Sequence, residues 1–220
     1  METPTYRTMT QIAIDSIKDM IISGIYPPGT RLIPQKLEVE LNLGRVAIRE
    51  ALRDLQGQGL VMSEPNKGVV VAMGIDLTEI LEIFQIRYEL EGRATELAAM
   101  KISEAEIDKL ERLNFDLAGF SEDTHEYLLL NRKFHMDFYR ASQLNFLCQL
   151  IRQIYDRIVA WRSMNYYRGK KIPEFLKAHQ EMLNAARDRD GKKARQVVIE
   201  HLRSGYDSFV DLKKSRENKP

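Results

Sequence analysis

Three of the four histidines in this 220-residue chain fall in stretches with helical apolar spacing. They are His135 in "LLLNRKFHMDF", His179 in "FLKAHQEML" and His201 in "VIEHLRSG". Asn131 precedes His135 by four residues, so the amide and the imidazole share one face of a helix. Imidazole nitrogens bind borderline divalent metals such as zinc or nickel, and an amide oxygen can join them. Projected inward from three helices of a bundle, Asn131, His135, His179 and His201 form a candidate ligand set. The same spacing also suits histidines hydrogen-bonded within a core, and the residues alone leave both readings open. His125 has no such companion and reads as surface or loop.

These side chains need long helices to carry them, and beyond Gly74 the sequence supplies only helical patterns. Segments are predicted over 77–101, 103–120, 124–142, 146–167, 173–189 and 192–213. Ser103 and Glu106 make a capping box for the second, and Asp190-Gly191 separates the last two. Six helices in this length make a compact all-α domain, with the tail "KKSRENKP" frayed.

The first 73 residues read differently. A helix over 10–23 carries Ile14, Ile17 and Ile21 and stops at Gly24. A short helix follows near Gln35–Leu41, and a longer one from Arg45 to about Gln58. The period then shortens: Leu60–Met62 and Val69–Val71 flank the turn signal Pro65-Asn66-Lys67-Gly68, a β-hairpin. Three helices and a hairpin in this order describe a winged helix-turn-helix. In the third helix Ile48, Leu52 and Leu55 lie on one side, with Arg49 and Arg53 about 110° away at 100° per residue. A packed face opposite an arginine face suits the major groove, where arginine reads guanine or clamps phosphate. Lys67-Gly68 at the hairpin tip suits a wing against the sugar-phosphate wall.

Composition limits the function classes without choosing one. The chain is 44% hydrophobic and 30% charged, with a net charge of +1. The first 73 residues hold eight Lys/Arg against eight Asp/Glu, so nucleic-acid binding must rest on where the charges sit. No apolar run is long enough to span a bilayer, and "METPTYRTMTQ" lacks the features of a signal peptide, so a cytoplasmic protein is expected. Cys148, the single cysteine, rules out an internal disulfide and reads as a small core hydrophobe.

"GIYPPGTRL", "NLGRVAIREALRDLQGQGLV" and "PNKGVVV" resemble the DNA-binding domain of the GntR family of bacterial transcription regulators. "IFQIRYELEGRATELAA", "LNRKFHMDFYRAS" and "KAHQEMLNAARDRDGKKARQVVIEHL" resemble the FCD domain of the FadR subfamily, in its shorter six-helix form. The resemblance implies DNA contacts from Arg45, Arg49, Lys67 and Gly68. Gly44 stands where the family usually has a hydroxyl residue, and Val46-Ala47 where it usually has Thr-Pro; Val46 is placed to touch a thymine methyl. The resemblance also implies a divalent metal on Asn131, His135, His179 and His201, zinc first, with nickel or manganese as alternatives. Asn131 replaces the commoner Asp, and Leu144 stands where many members have Asn. Arg87 matches an arginine expected to face the pocket and bind the effector, though a helical pair with Glu91 fits it equally. Tyr155 and Arg162 are further candidates for that pocket.

The expected architecture is therefore mainly α. It comprises a winged helix-turn-helix over 1–73, a linker at 74–76 and an all-helical effector and dimerisation domain over 77–220. The expected function is a DNA-binding regulator, a repressor and not an enzyme. It would act as a homodimer on a pseudo-palindromic duplex operator under control of a small carboxylate at the metal. The alternatives are a regulator with a structural metal or none and a non-carboxylate effector, or a metal-dependent enzyme.

Overall fold

The structure, a computed structural model, describes residues 7–72, 77–121, 124–164 and 172–217. The linker expected at 74–76, the helix end expected at Tyr167 and the last three residues lie outside the described residues. The chain divides into two compact units, residues 1–74 with 157–166 and residues 75–156 with 167–220.

In the N-terminal unit, α1 (Met9–Ile22) starts where the Thr8 side chain accepts from the Gln11 N–H. Its stripe of Ala13, Ile14, Ile17, Ile21 and Ile22 is buried. The short α2 (Pro34–Leu41) has proline in its first turn and ends at Asn42, whose φ of 52° is left-handed, a conformation Asn tolerates. α3 (Arg45–Gly57) packs Ala47, Ile48, Ala51, Leu52 and Leu55 inward, mainly against α1. Strands β1 (Val61–Glu64) and β2 (Gly68–Val71) pair antiparallel, with Val61 opposite Val71 and Glu64 opposite Gly68. The far side of β2 is also paired. Leu32 N–H donates to the Val69 carbonyl at 2.8 Å, and Val71 N–H donates to the Thr30 carbonyl at 2.9 Å. The wing is thus tied back to the segment before α2, a pairing too short to show as a strand pattern.

The C-terminal unit is built from α4 (Leu77–Lys101), α5 (Glu104–Leu117), α6 (His125–Arg140), α7 (Asn145–Met164), α8 (Ile172–Arg187) and α9 (Gly191–Glu217). The last eight residues of α7 fall in the stretch grouped with the N-terminal unit. Helix ends follow the expected chemistry: Ser103 and Glu106 form a complete capping box, and Thr124 caps α6. α9 runs on to Glu217, beyond the predicted end at Lys213, through most of the tail expected to fray. Cys148 is half-buried rather than core, with its Sγ donating to the Tyr139 carbonyl at 3.3 Å.

α4 and α9 make the most extensive helix pair of this unit, and α8 packs on both. The first turn of α9 comes so close to α4 that a Cβ at Gly191 would lie 2.5 Å from the Glu96 carbonyl oxygen. Backbone cannot yield there as a flexible side chain would. Gly191→Ala is therefore expected to destabilise the helical unit by about 1–3 kcal/mol through overpacking. Urea unfolding checks this, and an unchanged midpoint contradicts it.

Candidate functional site

The arginine-bearing face of α3 is open to solvent. Arg45, Val46 and Arg49 are all exposed, Val46 to 77%, together with Glu50 and Arg53. Gly44 caps α3 without a side-chain hydrogen bond, so the first-turn N–H groups are available to an anion. At the wing, Gly68 has a φ of 77°, so glycine is required first by the turn, while the space beside its Cα is open. Lys67 is exposed and pairs with Glu64 at 2.6 Å, an interaction that water weakens and a phosphate can displace.

In the helical unit, His135 from α6, His179 from α8 and His201 from α9 converge. One nitrogen from each lies within 4.8 Å of the other two, and the ring centroids are 4.8 to 5.2 Å apart. His135 and His179 are buried, and their Nε2 atoms stand 3.2 Å apart. Two imidazole nitrogens on a tetrahedral zinc at about 2.05 Å would be about 3.3 Å apart. Phe134 stacks on His179 at 4.1 Å, and Phe175 meets the His201 ring edge-on at 5.1 Å. Burial, and next the neighbouring His201, push the His179 imidazole well below the ordinary histidine value, which keeps it neutral and able to ligate. His125 opens α6, and its side chain lies outside the described residues.

Asn131 lies one turn before His135 and is also buried. Its Nδ2 donates to the Tyr155 hydroxyl at 2.8 Å, while its buried Oδ1 accepts no hydrogen bond among the described residues. An orphaned amide oxygen in an interior costs on the order of 1–3 kcal/mol unless something electropositive meets it. The donor set therefore fits a divalent cation: three imidazoles and one uncommitted oxygen.

Arg87 and Glu91 of α4 join the same interior. Arg87 Nε donates to Glu91 Oε1 at 2.5 Å, and its Nη2 lies 3.4 Å from Oε2. The guanidinium also sits 5.1 Å over the Tyr155 ring and 4.9 Å over Phe84. The helical pair with Glu91 is thus formed, and Arg87 remains one tyrosine away from Asn131. Tyr139 donates to Glu91 Oε2 at 2.6 Å, and its oxygen lies 3.3 Å from His135 Nδ1. Burial, then the Glu91 carboxylate, hold the Tyr139 hydroxyl well above its ordinary value, so it stays protonated. On the opposite side Asn114 Oδ1 is 3.0 Å from His179 Nδ1. Sequence reasoning missed Asn114 and Tyr139. The only signal for Asn114 was an amide on the buried stripe of α5, and Tyr139 read as one more aromatic. The side chain of Arg162 lies outside the described residues.

The model of bacterial regulatory proteins of the gntR family matches residues 10–71, and that of the FCD domain matches residues 82–204. The chain belongs to the GntR family, with an FCD domain. It is 27% identical over 209 residues to the uncharacterized HTH-type transcriptional regulator YdhC of Bacillus subtilis, covering 93% of this chain and 92% of that one. To the HTH-type transcriptional regulator McbR of Escherichia coli it is 27% identical over 192 residues, covering 84% and 86%. The solved structure of E. coli McbR/YncC superposes with a TM-score of 0.83 at 23% identity, over 96% of this chain and 100% of that one. The protein is thus a GntR-family DNA-binding transcription regulator with an FCD effector-binding domain. The matched families and these relatives are regulators, not enzymes. No described helix is long and apolar enough to cross a membrane.

Because Glu91 serves both Arg87 and Tyr139 in the interior of the FCD domain, Glu91→Ala strands a buried guanidinium and is expected to cost about 3–5 kcal/mol of stability. Chemical unfolding measures it, and a loss below about 1 kcal/mol contradicts the network's importance.

Proposed function

We propose that this regulator is a cytoplasmic repressor. It acts as a homodimer on a pseudo-palindromic duplex operator, and a small carboxylate bound at a divalent metal in the FCD domain changes its operator affinity. The observation that carries the reading is the meeting of His135, His179 and His201 beside the uncommitted oxygen of Asn131. His135, His179 and His201 supply nitrogens and Asn131 its oxygen. When bound, the cation supplies a positive charge that none of these four neutral ligands cancels, and so favours an anion. Zinc suits the three imidazoles best, with nickel or manganese as alternatives.

Arg45, Val46 and Arg49 of α3 are the readers of base edges and phosphates. Lys67 and Gly68 are the wing contacts. One such head makes few contacts, and twofold symmetry doubles them on two half-sites. Effector binding regulates only through a difference in affinity between two head arrangements. Arg87 is the side chain offered to the effector carboxylate, which must share or displace Glu91. That existing pair favours a second reading, in which the metal is structural and the effector is not a carboxylate.

Two variants test the assignments. Arg49→Ala should weaken binding to a duplex selected by the wild-type protein from random sequences by about ten- to a hundredfold, with the fold intact by circular dichroism. Unchanged affinity removes α3 as the reader. Asn131→Asp places a carboxylate at the orphaned oxygen and should tighten zinc binding, measured by chelator competition. A weaker site means that Asn131 is not a ligand.

A further inference from the structure

We infer that Asn114 and the Glu91–Tyr139 pair are positioning groups that hold His179 and His135 in the tautomer protonated on Nδ1, so that both Nε2 lone pairs face one centre. The inference rests on the metal reading above for its purpose, but the tautomers themselves belong to the metal-free chain.

The assignment follows from counting donors. Asn114 Nδ2 is committed to the Leu176 carbonyl at 3.3 Å, which turns Oδ1, an acceptor only, toward His179. His179 Nδ1, 3.0 Å from that oxygen, must therefore carry the hydrogen. On the other side Tyr139 has one hydroxyl proton, and it goes to Glu91 Oε2 at 2.6 Å. Glu91 accepts from Arg87 through Oε1 and from Tyr139 through Oε2. The Tyr139 oxygen, 3.3 Å from His135 Nδ1, is then left as the acceptor, and His135 too carries its hydrogen on Nδ1.

Both Nε2 atoms are therefore without a proton, 3.2 Å apart. Two lone pairs facing each other at that distance repel, and a cation between them turns the repulsion into ligation. Two independent partners, one from α5 and one from the α4–α6 contact, thus set the same polarity on two rings. Outer partners of this kind orient the ligands and raise their basicity, and their loss commonly lowers metal affinity ten- to a hundredfold.

The test reads imidazole 15N shifts in the metal-free, full-length chain, then zinc affinity by chelator competition. In the wild type both His135 and His179 should carry the proton on Nδ1. Tyr139→Phe, which keeps the ring and its packing, should release the tautomer of His135 alone. Asn114→Leu, close in volume, should release that of His179 alone. Each should weaken zinc binding ten- to a hundredfold. A wild-type ring protonated on Nε2, or a variant that leaves its own ring unmoved, overturns the assignment. Zinc affinity unchanged in a variant whose tautomer has moved overturns the positioning role. A wild-type chain that takes up no zinc removes the metal reading instead, and the metal-free shifts still decide the tautomers.

Discussion

Two imidazole nitrogens 3.2 Å apart, on side chains almost closed to water, are the constraint on which the rest of the helical unit depends. Burial holds the His179 imidazole neutral, because an imidazolium there would lose its hydration. The site is therefore built from groups that accept or share hydrogen without adding charge: two amides, two tyrosines and aromatic faces. A buried ion pair, Arg87 with Glu91, lies on α4, and Tyr139 stands between it and His135. Charge is kept one side chain away from the histidines, yet is linked to His135 through the Tyr139 hydroxyl.

The helices that carry the site are held by contacts that leave little freedom. α9 brings His201 and is seated against α4 where only glycine fits, at Gly191. α8 brings His179, clamped by Phe134 from α6 on its face and by Asn114 from α5 on its edge. The Arg132–Asp156 pair joins α6 to α7, with the Asp156 carboxylate buried, and so fixes Asn131 opposite Tyr155. Packed interiors of this kind shift between discrete arrangements rather than deform smoothly. A ligand that changes the contacts at the histidines is thus able to bias helix packing, which is the physical requirement for regulation.

Most of the fold was legible because its signals are local. Ser103 with Glu106, and Asp190 before Gly191, mark helix ends by chemistry within four residues, and the structure breaks the chain there. The three histidines that meet in the helical unit were legible as imidazoles on apolar helical stripes. The side chains that touch those rings were not. His179 and Asn114 are 65 residues apart, and no periodicity within one helix reports such a pair. Tyr139 has the pattern of a core aromatic, and only the fold reveals that its hydroxyl meets a carboxylate and an imidazole. The third partner of the wing was hidden for a different reason. Thr30–Leu32 is too short to alternate, and its pairing with β2 is a tertiary event. Gly68 was read both as part of the turn signal and for close approach to DNA, and its φ of 77° meets the first of these.

The central claim is that His135, His179 and His201, with Asn131, form a metal site rather than a hydrogen-bonded core. Elemental analysis of the purified wild-type protein beside the His135→Ala/His179→Ala double variant tests it most directly. The account predicts near-stoichiometric divalent metal in the wild type and its loss in a variant that stays folded. No metal in the wild type after supplementation with zinc, nickel and manganese, or equal metal in both proteins, would contradict it.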